Sequence, residues 1–246
     1  MKRLAYPITS VYFLFFGLTL CVFHPIQWLC LTLFGYDAHK RSVSLLNWFL
    51  MRCLNILGTR FTFRNSHQIP SDRPLIIVTN HQSMYDIPPI IWYMRKHHPK
   101  FVSKKELGKG LPSVSFNLRH GGSVLIDRKD GVQALTEIAK LGQYIETHKR
   151  SAVIFPEGTR SRDGKPKKFK PMGLKTLIKN APSALLVPIS INNSWKLLRY
   201  GKFPMGLGSH LTFDVHQPLP NTGNPDKLIE QVERIINNGI KVNDHY

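Results

Sequence analysis

Residues 75–86 read Leu-Ile-Ile-Val-Thr-Asn-His-Gln-Ser-Met-Tyr-Asp, and their reading decides the fold. Leu75–Thr79 is almost continuously apolar and rich in β-branched residues, the pattern of a strand buried on both faces in a parallel sheet. The polar run that follows ends at Asp86, which is placed to cap a helix from Ile87 to Lys96 with Pro88 and Pro89 in its first turn. His81 therefore stands just past a strand end, and a turn brings Asp86 back toward it. A carboxylate on one ring nitrogen fixes the imidazole tautomer and leaves the other nitrogen free as a base. Taken alone, the same spacing equally describes a surface histidine beside a helix-capping acid.

Outward from this segment, short β-rich runs alternate with helical ones. Strands are predicted at Arg60–Arg64, Phe101–Val102, Ser123–Ile126, Ala152–Phe155, Leu185–Ile191 and Leu211–Val215. Helices are predicted over Asp130–Thr147, Met172–Lys179 and Lys227–Asn237, and surface loops at Lys165–Pro171 and Tyr200–Gly208. Such alternation implies an α/β fold with a mostly parallel central sheet and helices on both faces. In open sheets of this kind, sites form at the carboxyl ends of strands. Three more strand ends carry polar groups: Asp127-Arg128, then Pro156-Glu157-Gly158-Thr159-Arg160-Ser161, then Pro188-Ile189-Ser190.

The amino-terminal part is different in kind. From Leu4 to Phe34 there is no Asp, Glu, Lys or Arg, while Lys2, Arg3, Lys40, Arg41 and Arg52 flank the run. Pro25 is expected to break or kink a helix there. Basic residues at both ends favour a hairpin or a pair of interfacial helices with both ends on the cytoplasmic side, and Trp28 and Trp48 suit that depth. A single spanning helix is the alternative. A cleaved signal is disfavoured because Leu20-Cys21-Val22-Phe23 offers no small residues after the apolar run. Residues 1–58 thus read as membrane-associating helices and 59–246 as one catalytic domain, at the cytoplasmic face of a membrane such as the bacterial inner membrane.

The chain has 34 Lys+Arg against 15 Asp+Glu, a formal charge of +19. Partners are therefore anionic: nucleic acid, acidic lipid headgroups, phosphorylated metabolites or acidic carrier proteins. No helix-turn-helix, finger or stacking pattern supports nucleic acid. Hydrophobic residues at 42% exclude a disordered chain. Cys21, Cys30 and Cys53 form no C-x-x-C pair, so neither a disulfide framework nor a zinc site is expected, and no metal or resident cofactor is predicted.

Taken together, the strand-end groups resemble the glycerolipid acyltransferase family, in particular its 1-acyl-sn-glycerol-3-phosphate acyltransferase branch. The resemblance rests on Asn80, His81 and Asp86, on Gly122, Ile126, Asp127 and Arg128, on Phe155 to Ser161, and on Val187-Pro188-Ile189, with Lys105-Glu106-Leu107 between the first two blocks. Leu125 stands where an aromatic is common. The resemblance implies transfer of a fatty acyl group from acyl-CoA or acyl carrier protein to the free hydroxyl of 1-acyl-sn-glycerol-3-phosphate (lysophosphatidate). It casts His81 and Asp86 as the general-base dyad. Arg128, Glu157, Gly158, Thr159, Arg160 and Lys105 would bind the acceptor. The oxyanion donors are expected among backbone N–H groups at the start of the Asp86 helix. Acylation of glycerol-3-phosphate or another lyso-lipid is the alternative, and a lipid hydrolase using the same dyad on water a more distant one. An acyl-serine on Ser83 is disfavoured, since no G-x-S-x-G elbow is present.

Overall fold

The computed structural model describes residues 2–241. Eight strands form one sheet: β1 (Arg60–Arg64), β2 (Leu75–Thr79), β3 (Pro99–Lys104), β4 (Val124–Ile126), β5 (Ser151–Ile154), β6 (Leu185–Asn192), β7 (His210–Val215) and β8 (Leu219–Pro220). Six α-helices accompany them: α1 (Lys2–Ile56), α2 (Ile87–Tyr93), α3 (Val114–His120), α4 (Gly131–His148), α5 (Pro171–Asn180) and α6 (Pro225–Asn238). The order across the sheet is β1-β7-β6-β2-β5-β3-β4, with β8 on β6. Pairings β1–β7, β2–β6, β2–β5, β3–β5 and β3–β4 are parallel. β6 pairs antiparallel with β7 and β8. The mostly parallel α/β sheet read from the sequence is the one observed.

Strand alternation divides the core in two. Leu75, Ile77, Phe101, Val153, Val187 and Ile189 point to one face, where they meet Ile90 and Ile91 of α2 and Val43, Leu54 and Leu57 at the end of the amino-terminal segment. Ile76, Val78, Ala152, Ile154 and Leu186 point to the other, against Ile138 and Leu141 of α4, Leu174 and Leu177 of α5, and Val232 and Ile236 of α6. β2 is buried along its whole length, as its continuous apolar run requires.

Two sequence expectations need correction. Pro25 does not break α1: helix continues through it, and the departure from helical dihedrals falls at Gly35 (φ 74°, ψ −164°), a conformation open essentially to glycine alone. Ser113 sits beside the Pro25 turn, donating from Oγ to the Leu20 carbonyl (2.6 Å) and from its N–H to His24 Nδ1 (3.1 Å). The chain then doubles back. Thr19 lies against Cys53 (3.6 Å), Phe23 against Phe49 (ring centroids 5.6 Å), and Leu20 and Phe23 share a small core with Leu46 and Leu50. Those pairs are symmetric about the Gly35 turn, so α1 is a helical hairpin with a left arm and a right arm of unequal length.

The second correction concerns Asp86, which is not an N-cap. Its backbone is already helical and its side chain makes no cap bond to α2. Ser83 is the cap, of the short 3-10 turn Met84–Asp86, and Asp86 reaches back to the Ser83 N–H in a capping box. Smaller differences are an extension of β3 to six residues, a shorter α2 followed by a 3-10 turn at Arg95–His97, and the unforeseen α3.

Candidate active site

The carboxyl ends of β2, β5 and β6 meet at His81. Its Nδ1 lies 2.8 Å from Asp86 Oδ2, and its ring stacks on Phe155, the residue just past β5, at a centroid distance of 4.1 Å. Because Asp86 can only accept there, Nδ1 carries the proton and the Nε2 lone pair is left over. Nε2 has no hydrogen-bond partner among the described residues, and the side chain keeps 11% of its surface exposed. The imidazole is thus oriented, largely desolvated and open at one atom.

Asp86 is fully buried and saturated. Oδ2 accepts from Gln82 N–H (2.8 Å) and Ser83 N–H (2.9 Å) as well as from His81, and Oδ1 accepts from Ser194 Oγ. Ser194 opens the 3-10 turn after β6, and Gln82 ties the same turn down by accepting from the Ser194 N–H (3.1 Å). Asn80 closes the gap between β2 and β6 with a reciprocal pair to the Ile191 main chain (2.9 and 2.7 Å). Neither Ser194 nor the Gln82 contact was foreseen. Ser194 is a lone serine far along the chain, and only the β2–β6 adjacency brings it in.

The oxyanion expectation fails for most of its candidates. The N–H groups of Gln82 and Ser83 are consumed by Asp86, and that of Tyr85 by Ser83 Oγ (3.1 Å). Ser83 itself is fully buried with its hydroxyl committed to that cap, which agrees with its exclusion as a nucleophile.

Glu157, after β5, is buried and supports His81 from below: Oε1 accepts the His81 N–H at 3.1 Å. The Ser161 N–H returns a bond to the His81 carbonyl (2.8 Å), so the two loops are stitched on both sides of the histidine. Glu157 Oε2 is buried with no partner, and burial pushes the carboxyl up to about 7, against the smaller opposing pull of the His81 N–H. No arginine pairs with it among the described residues. Gly158 takes φ 70° to turn the chain out of the sheet, close to the Lys170 stem.

Thr159, Arg160 and Arg128 lie exposed at the rim. Arg128 has its pKa lowered by partial burial and then by the charge of Arg160. No carboxylate pairs with either among the described residues. Lys105 differs: its Nζ bonds Asp127 Oδ2 at 2.5 Å, which raises the lysine pKa and lowers that of the acid. The sequence-predicted residues are therefore brought to one rim, with His81 and Asp86 in contact, Glu157 beneath them, Arg128 and Arg160 open to an anion, and Lys105 already paired.

Known proteins resemble this chain in sequence and fold. Residues 60–192 match the family model described as Acyltransferase. The human 1-acyl-sn-glycerol-3-phosphate acyltransferase beta is 30% identical over 129 residues, covering 52% of this chain and 46% of the relative. A Helicobacter pylori 1-acyl-sn-glycerol-3-phosphate acyltransferase is 37% identical, covering 51% and 54%. The matches span about half the length of these curated relatives. The crystal structure of the Thermotoga maritima 1-acyl-sn-glycerophosphate acyltransferase has the same fold, with TM-score 0.78 at 23% identity over 98% of this chain and 96% of that one. With more than half its length inside that family model, and with each matched strand end supplying a polar group to one rim, the chain belongs to the acyltransferase family.

Proposed function

We propose that this protein transfers a fatty acyl group from an acyl thioester, acyl-CoA or acyl carrier protein, to the free hydroxyl of 1-acyl-sn-glycerol-3-phosphate, giving phosphatidic acid at the cytoplasmic face of a membrane. The observation that carries this reading is the His81–Asp86 pair with Nε2 open, at the same strand-end rim that carries Arg128 and Arg160. The acceptor hydroxyl donates to His81 Nε2. As its oxygen bonds the thioester carbonyl carbon, the proton passes to Nε2, a transfer worth about 10²–10⁴-fold in rate. Asp86 stabilises the imidazolium so formed. The tetrahedral intermediate then expels the thiolate, the C–S bond breaks, and Nε2 returns its proton to sulfur. Arg128 and Arg160 hold the phosphate, Arg128 in bidentate fashion. In this reading a glycerol hydroxyl donates to Glu157 Oε2, which is buried and has no partner.

The apolar outer face of α1 supports the membrane assignment. Leu14, Leu18, Val22, Trp28, Leu33 and Phe34 are all exposed along one arm. Burying such side chains in the acyl boundary gains about 25 cal/mol per Å².

The test is acyl-thioester turnover over a panel of acceptors, with free fatty acid measured alongside. Lysophosphatidate is expected to outpace glycerol-3-phosphate and other lyso-lipids, with little free acid. His81→Ala is expected to lose about 10²–10⁴-fold. Undiminished turnover in His81→Ala would overturn the general-base role, and dominant free acid would favour a hydrolase.

A further inference from the structure

A second group of cations lies at the opposite ends of the strands, where the α1 hairpin turns. The Tyr36 ring, next to that turn, meets the starts of β3 and β5: Arg150 Cζ lies 3.7 Å and Lys100 Nζ 4.8 Å from its centroid, and its hydroxyl is 3.0 Å from His98 Nδ1. Lys100 is 6% exposed and makes no hydrogen bond or ion pair among the described residues. Burial first, then Arg150 and Lys40, press its pKa down to about 7. Immediately outside is a cleft of about 360 Å³, whose polar side is formed by Lys40, Arg41, Arg95 and Lys96 and whose apolar side is formed by Leu45 and Trp92. A narrow recess shares Lys40 and Arg95 with the cleft and leads inward to Lys100.

None of the four cleft cations is in an ion pair with a carboxylate among the described residues. Asp37, one turn before Lys40, is the acid that faces the cluster. Arg95 is held in place, with Nη1 donating to the Trp92 carbonyl (2.7 Å) and Cζ 4.2 Å from the Trp92 ring centroid. Like charges gathered in this way raise the energy of the empty protein, and a bound anion relieves it. An inorganic anion would satisfy the cations but leave the apolar wall unused. That wall continues along the hairpin, where Leu45, Phe49 and Ile56 are exposed. Cations on one side and an apolar track on the other match a molecule with a charged head and acyl tails.

We propose that this cleft binds the phosphate-bearing headgroup of an anionic glycerophospholipid, with the acyl chains lying along Leu45 and Trp92 toward the outer face of the hairpin. The site is separate from the reaction centre: β5 runs between them, with Arg150 before its first residue and Glu157 beyond its last. The proposal does not depend on which acceptor the enzyme uses.

The test titrates the full chain in detergent with dihexanoyl phosphatidylglycerol, a diester that is neither acceptor nor product of the proposed reaction. Dihexanoyl phosphatidylcholine and inorganic phosphate form the comparison arms. The anionic lipid is expected to bind, and both comparison arms to bind at least tenfold more weakly. Lys40→Gln with Arg95→Gln is expected to weaken binding about 30-fold, from about 1 kcal/mol per basic residue, whereas Arg128→Gln leaves it intact. Lys100→Met is expected to weaken lipid binding while raising the unfolding temperature of the lipid-free protein, a pairing that a purely structural lysine would not produce. Unchanged binding in the double variant, loss of binding in Arg128→Gln, or equal binding of inorganic phosphate would each overturn the proposal.

Discussion

Two buried carboxylates sit on either side of His81, and they are built differently. Asp86, on the loop after β2, takes four hydrogen bonds, three from consecutive residues of its own loop and one from a distant turn. Glu157, on the loop after β5, takes one from the His81 main chain and leaves an oxygen bare. The first is fixed and has no capacity left for a ligand. The second holds the histidine's backbone and keeps an acceptor in reserve. Saturation thus separates the carboxylate that holds the His81 ring from the one that keeps an unused oxygen.

The strongest way to break this contrast is Asp86→Asn. An amide must present an N–H to at least one donor, misorienting His81; a fall of about 10⁴-fold in turnover is expected by analogy with other His–Asp pairs. Buried donors left unmatched should also cost about 2–4 kcal/mol of stability, read as a lowered denaturation midpoint. Next, Arg128→Ala removes a charge-assisted grip on the acceptor phosphate. It should cost about 2–4 kcal/mol in kcat/KM for phosphorylated acceptors, seen in steady-state kinetics. Ser194→Ala removes a single donor from Asp86. Turnover should fall about tenfold, and Ser194→Thr should restore part of it, since a hydroxyl bond to a carboxylate is worth about 1.5–3 kcal/mol.

The smallest effect sharpens the contrast from the Glu157 side. Its carboxyl is raised from 4.5 to about 7 by burial, so the folded chain keeps a proton that the unfolded chain has released between those values. Its contribution to stability is complete below about pH 4.5 and is lost as pH rises through 7. Glu157→Gln should therefore unfold like the parent at pH 4.5. At pH 8 it should be more stable by about 1–2 kcal/mol. Parallel melting curves at the two pH values decide the matter. A variant destabilised equally at both would assign Glu157 a packing role alone.

Most of the sheet was legible because β2, β5 and β6 announce themselves as apolar runs that end in polar residues. His81 and Asp86 were legible for the same reason, being local to one strand end. The Asp86 cap assignment went astray because Ser83 and Asp86 are both good capping residues, and only the backbone dihedrals show which turn each one opens. Ser194 was hidden because its role depends on strand order rather than on spacing. The turn at Gly35 was not foreseen because proline is the louder local signal, while Gly35 acts through a dihedral that no neighbouring residue advertises.

The amino-terminal arm does more than meet lipid. Thr9 accepts the Met205 N–H at 3.0 Å, and Tyr12, wholly enclosed, places its hydroxyl 3.2 Å from that of Tyr85, the neighbour of Asp86. Trimming the chain before residue 60 to obtain a water-soluble enzyme would pull a strut from behind the reacting groups. Whatever moves this arm would thereby move the Tyr85 side of the His81 loop as well.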